Sequence, residues 1–233
     1  MVIDQTSAKG RFIAAALALA AERPWDKVSL RDIAERAGGN LVDLRREFAS
    51  KGDILAAFTR SVDDAVLASA PARLPSQTAR DELFDVVMAR FDALAPYRAA
   101  LHSIGRAGVV DLAHARGLMT SQAWMLAAAG IANDGPAGAA KAAGLGSLYG
   151  SVFRTWIDDD DPGLARTMAV LDRRLRRGER TCDAIGSVRD SLGKIGAVIC
   201  GRRSSRPKAA TATAGSGVSA PPPAAPPPEP FSV

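Results

Sequence analysis

The sequence predicts an all-α protein. Three observations carry that expectation. No stretch of useful length alternates apolar and polar residues as a half-buried strand would. Alanine and leucine dominate an apolar content of 47%. Helix-start signals recur: Ser29 with Asp32 three residues on, Asn40 with Asp43 three residues on, and Ser50.

The elements follow in order. A first helix is expected over residues 7–22, with Phe12, Ile13, Ala16, Leu17 and Ala20 on one face. Pro24 ends it, because proline lacks the N–H a helix interior needs. Ser29 caps a second helix with Asp32 as its capping-box partner, and Leu30, Ile33, Ala34 and Ala37 form its buried stripe. Gly38-Gly39 makes the turn. Asn40 caps a third helix whose Leu44 and Phe48 point inward. Ser50 caps a fourth, starting at Lys51 and running through Ile54, Leu55 and Phe58. Three short helices with a glycine turn before the third fit a helix-turn-helix that docks on duplex DNA. They also fit a small bundle with no nucleic-acid role, since fold does not fix function.

Pro71 and Pro75 bracket a loop. The stretch 79–101 reads as an amphipathic helix through Leu83, Phe84, Val87, Met88, Phe91 and Leu94, broken or kinked at Pro96. Further helices are expected at about 114–132 and 137–157. The acidic run 158–161 ends the latter, and Asp161-Pro162 is a cap and first-turn pair for a helix over 162–177. A metal site is not expected in that run, which lacks spaced ligands.

Charge is uneven along the chain. Residues 1–60 carry 10 Lys/Arg against 8 Asp/Glu, residues 61–201 carry 16 against 16, and residues 202–233 carry 4 against 1. A neutral middle suits a folded part with no polyanion partner. Cys182 and Cys200 form no CxxC pair, and His102 and His114 have no metal-ligand spacing. The apolar run 12–21 is too short to span a bilayer and is preceded by Asp4 and broken by Glu22-Arg23-Pro24. It reads as a core helix of a cytoplasmic protein.

Two motifs carry a family resemblance. "SLRDIAERAG" followed by "LRREFASK" within residues 8–58 resembles the N-terminal domain of TetR-type transcriptional regulators. That resemblance implies a TetR-like all-helical fold, a homodimer, duplex DNA as partner, and a C-terminal part that holds a small ligand. The residues it points to for DNA are Ser29, Arg31, Asn40, Leu41, Asp43, Arg45, Arg46 and Lys51. The sequence departs from the pattern in the third helix. Arg45 stands where a tyrosine is usual, Glu47 where a histidine is, Leu41 where a lysine or polar residue is common, and Gly39 where an apolar residue plugs the core. Asp43, Arg45, Arg46 and Glu47 sum to zero charge, which weakens attraction to phosphates. Arginine can still grip guanine and an acid can accept from cytosine. In the plain structural reading, Asp43 pairs with Arg46 on a solvated face.

The stretches "TARDELFDVVMARFDALAPYRAAL" and "LYGSVFRTWIDDDDPGLARTMAVLDRRLRR", within residues 78–178, resemble the C-terminal domain of Coq-nine-type proteins of ubiquinone biosynthesis, which share the fold and bind lipid. That resemblance implies an alternative: a membrane-associated lipid-binding accessory protein without DNA binding. The aromatic-rich middle supplies a candidate apolar tunnel for an acyl or isoprenoid ligand: Phe84, Met88, Phe91, Trp124, Tyr149, Phe153 and Trp156. The plain structural reading of these residues is core and dimer face, and the dimer face is expected around 144–156 and 164–175. No convergent set of acids, bases and nucleophiles accompanies them, so neither catalysis nor a cofactor is expected.

The expected domains are therefore 1–60, the helix-turn-helix; 61–180, the ligand-binding and dimerisation part; 181–203, a basic amphipathic helix; and 204–233, a disordered Pro/Ala-rich tail. In the amphipathic stretch Ile185, Val188, Leu192, Ile195 and Ile199 share one stripe, suited to peripheral contact with the inner membrane. Docking on the protein's own core explains that stripe as well.

Overall fold

The structure, a computed structural model, describes residues 2–69, 76–108 and 112–181. All belong to one unit, Met1–Gly186; a second unit, Ser187–Val233, lies outside the described residues. So do the expected membrane stripe (Ile185, Val188, Leu192, Ile195, Ile199) and the proline-rich tail. Among the described residues every regular element is helical. None of these helices is long and apolar enough to cross a membrane.

The first helix, α1 (Ala8–Glu22), starts where Ser7 Oγ accepts from the Gly10 N–H at 3.0 Å. Its buried face carries Phe12, Ile13, Ala16, Leu17 and Ala20, as the periodicity predicts. A 3₁₀ turn, Trp25–Lys27, follows Pro24 and buries Trp25. In α2 (Leu30–Arg36) the capping box is complete: Asp32 N–H donates to Ser29 Oγ at 3.2 Å, and Ser29 N–H donates to Asp32 Oδ2 at 2.8 Å. Gly38 turns the chain with φ +71°, a left-handed conformation that glycine adopts without steric cost. Asn40 Oδ1 then accepts from the N–H groups of Val42 and Asp43, at 2.8 and 3.0 Å, and starts α3 (Leu41–Glu47). The next helix, α4 (Lys51–Ser69), begins at Ser50, whose Oγ accepts from Asp53 N–H at 3.1 Å.

The second part continues with α5 (Ala79–Leu94), capped by Thr78 and Asp81 in another capping box. Pro96 sits in a 3₁₀ turn, Ala95–Tyr97, which leads straight into α6 (Arg98–Ala107). Two long helices, α7 (Leu112–Ala128) and α8 (Gly135–Trp156), come next, and α9 occupies 165–181. Helix α1 packs on α2, α3, α4 and α6, while α7 packs on α4, α5 and α8. Gly117 permits the close α4–α7 approach: a Cβ there would lie 3.1 Å from Ala56 Cβ.

Two helix ends differ from expectation. The helix expected over 114–132 ends at Ala128, because Gly130 takes φ +65° and Ile131 N–H turns back to Leu126 O at 2.9 Å. The helix expected from residue 162 starts at 165. Asp161 does cap it, accepting from Ala165 N–H at 2.9 Å, but Pro162-Gly163 forms a turn first and Leu164 takes φ +52°. Buried Asp159 accepts from Thr167 N–H at 2.9 Å and Thr167 Oγ1 at 2.5 Å, fixing that junction.

Candidate nucleic-acid interface

Helix α3 has one inward edge and one outward face. Leu44 and Phe48 are buried, whereas Leu41, Val42, Arg45, Arg46 and Glu47 are exposed. The outward face borders α2 across an open concavity of about 590 Å³, lined among others by Arg31, Glu35, Leu41, Val42 and Arg46. Arg31 and Arg45 are exposed and have no ion-pair partner among the described residues. Arg46 Nη1 lies 3.4 Å from Asp43 Oδ1, the intrahelical pair expected from their spacing. That pair leaves Arg46 well exposed, and such surface pairs are weak.

Helix α2 is pinned from behind. Arg23 Nη2 meets Asp32 Oδ2 at 2.9 Å, and Arg36 pairs with Glu22 of α1. The Ser29 hydroxyl is engaged with Asp32 at 2.7 Å, so its local role is to cap α2.

Lys51, one of the residues the resemblance points to for DNA, has its ammonium on the protein's own backbone. Its Nζ donates to Trp25 O at 2.9 Å and Val28 O at 2.8 Å, and sits 4.5 Å from the centroid of the Trp25 ring. Burial holds this ammonium below the usual lysine range. Lys51 therefore braces the start of α4 against the turn that precedes α2. The carbonyls it serves are distant in sequence, so spacing gave no sign of them.

The aromatic residues expected to line a tunnel fall into two places. Phe91 stacks on Tyr149 and on Trp156, with centroids 5.3 and 5.2 Å apart; all three are buried, and Phe153 packs beside them. Phe84 and Met88 are half-buried against the same core. Trp124 is elsewhere, 53% exposed on α7. A second open cleft, between the end of α1 and α6, is lined by Arg23, Arg98, His102 and Arg106 among others, and not by the stacked rings.

Sequence reasoning missed the buried polar group beside those rings. Arg90 of α5 pairs with Asp63 of α4; Ser121 of α7 donates to Asp63 Oδ1 at 2.8 Å; Arg90 Nε donates to Tyr149 Oη at 3.2 Å. Arg90 and Asp63 are buried. The available signal was Arg90 itself, a charge standing on the apolar stripe of Leu83, Val87 and Leu94. Among the described residues no group of three or more His, Cys, Asp or Glu side chains could hold a metal.

Residues 12–58, which span α1 to the first turns of α4, match the family described as bacterial regulatory proteins, tetR family. Over these residues the chain is similar to the N-terminal part of that family. The fold extends the likeness to the rest of unit 1. A TetR transcriptional regulator from Nitrosomonas europaea ATCC 19718 superposes with a TM-score of 0.58 at 23% identity, covering 73% of this chain and 97% of that one. A TetR transcriptional regulator from Rhodococcus sp. RHA1 gives 0.57 at 20% identity, covering 74% and 96%. At such identities the likeness establishes a TetR-like all-α fold. A comparison with curated proteins finds no match. The Coq-nine-type character expected of residues 78–178 gains no support from these comparisons, which relate the fold to TetR transcriptional regulators.

Proposed function

We propose that this protein is a TetR-type transcriptional regulator: residues 1–60 bind duplex DNA, and residues 61–180 dimerise and hold a small apolar ligand that controls binding. The observation that carries the reading is the outward face of α3, with Arg45 and Arg46 exposed on a helix whose other edge is locked into the core by Leu44 and Phe48. A TetR-type match over the same residues supports it. Arg31 on α2 and Arg45 and Arg46 on α3 supply the cations for phosphates and guanine edges. Asn40 and Ser29 start their helices by capping, and Lys51 ties the start of α4 to the turn before α2. The role is binding rather than catalysis.

Ligand control is carried over from the family habit. The residues that best suit it are Phe84, Met88, Phe91, Tyr149, Phe153 and Trp156, a cluster of aromatic and apolar side chains with one polar end at Arg90. An entering apolar ligand would have to part the Phe91 stack, and that change would reach α6 through Trp156, over whose ring the Arg98 guanidinium lies at 4.6 Å.

The test is selection of genomic duplex fragments by the purified full-length protein, repeated with Arg45→Ala/Arg46→Ala. Enrichment of a distinct sequence by the wild type, lost in the double variant, is the expected outcome. Retention of random duplex alone by both proteins would sink the reading.

A further inference from the structure

Resting on the DNA reading above, we propose that Leu41 and Val42 read thymine, by packing on its 5-methyl group in the major groove. Val42 is 61% exposed and Leu41 43% exposed. They are adjacent on a helix that buries its remaining apolar residue, Leu44. Nothing in the described fold covers them. Their place on α3 is specific: Leu41 is followed one turn on by Arg45, and Val42 by Arg46, so each apolar side chain shares a line with a guanidinium. Charge complementarity therefore brings a polyanion to the same face that exposes the two aliphatic groups.

Two of the polar side chains near the start of α3 are already engaged. Asn40 would need both its amide oxygen and its amide nitrogen to grip adenine. Its oxygen is already held by two helix N–H groups, at 2.8 and 3.0 Å. Asp43 is paired with Arg46. Arg31 and Arg45 remain for phosphate or guanine, and exposed Glu47 for a cytosine amino group; none of these reads thymine. The aliphatic pair meets only one apolar group on a major-groove edge, the thymine methyl. Against a polar edge, such as the cytosine amino group, an isopropyl or isobutyl group would displace water without replacing its hydrogen bonds. Discrimination then comes from both sides, a gain at thymine and a loss elsewhere.

The experiment uses the full-length protein and the duplex it selects. Thymine is replaced by uracil one position at a time, which deletes the methyl and keeps the base pair. At one or two positions this should weaken wild-type binding about three- to fivefold, the effect of one buried methyl. Val42→Ala should bind the thymine duplex more weakly and respond less to uracil there. Val42→Thr, which keeps the shape and exchanges a methyl for a hydroxyl, should behave likewise. Wild-type binding that is sequence-dependent yet indifferent to uracil at every position would overturn this inference and leave the DNA reading standing. If no duplex is selected over random sequence, the DNA reading fails and the inference with it.

Discussion

The ring of Phe12 closes over Gly39. A Cβ built on Gly39 would stand 3.3 Å from Phe12 Cζ and 3.4 Å from Cε1. Of the glycine pair at the turn only Gly38 takes a left-handed φ, so Gly39 is there for space. A side chain from the turn would ordinarily help fill this core; here α1 fills it from the other side. Gly39→Val should therefore overpack the site and lower stability by about 1–3 kcal/mol. Phe12→Ala should cost about 3–5 kcal/mol through the cavity it opens. The double variant should lose clearly less than the sum, because the valine occupies part of the cavity. Urea unfolding of the four proteins measures this, and simple additivity would contradict the packing described.

The Asp63–Arg90 pair makes a second prediction. Both residues are buried, and Ser121 and Tyr149 complete the group. Arg90→Met leaves a buried carboxylate without its counter-ion, which costs about 3–5 kcal/mol. Asp63→Leu/Arg90→Met removes both charges, and should recover most of that loss or exceed wild-type stability. A double variant as unstable as Arg90→Met alone would mean that the network holds α4, α5, α7 and α8 together in a way apolar packing cannot replace.

What could be read from the sequence divides by range. Ser29 with Asp32, and Asn40 at the start of α3, are contacts within three residues, and periodicity with capping chemistry finds them. The inward edge of α3 is legible for the same reason. Lys51 is not, since its partners Trp25 and Val28 lie on a turn that comes alongside only once α1 to α4 have packed. Asp63, Arg90, Ser121 and Tyr149 come from four helices, and no local pattern links them. The exposure of Trp124 is a further case: helical spacing puts an aromatic on a stripe, but only the packing of α7 decides which stripe faces the core.

The acid on the outward face of α3 can be tested by removing it. Asp43 faces Arg46 and places a negative charge beside the arginines proposed to meet phosphates. Asp43→Asn frees Arg46 and takes one charge from the face. Nonspecific duplex binding should tighten, and the slope of log affinity against log salt should steepen by up to about 0.9, one further phosphate contact. Arg46→Ala should move both quantities the other way. Measured by anisotropy over a salt series, unchanged slopes in both variants would place the DNA away from this face.

Acid should act on the α8–α9 junction through Asp159. Hydrogen bonds from the Thr167 hydroxyl, above all, and from the Thr167 and Asp161 N–H groups hold its carboxyl below the ordinary aspartate value of 3.8. A carboxyl with a lowered folded value binds fewer protons in the native state than in the unfolded chain. Its contribution is present above the unfolded value and disappears as the pH falls through the folded one. Between about pH 5 and pH 2 the wild type should therefore lose stability more steeply than Thr167→Val, which keeps the side-chain shape and deletes the hydroxyl. Asp159→Asn should flatten the acid limb further, while also losing stability at neutral pH. Urea unfolding at pH 3 and pH 6 on the three proteins decides it. Equal pH dependence in all three would mean that acid sensitivity arises at other carboxyls, such as Asp81 with its own capping hydrogen bonds from Thr78.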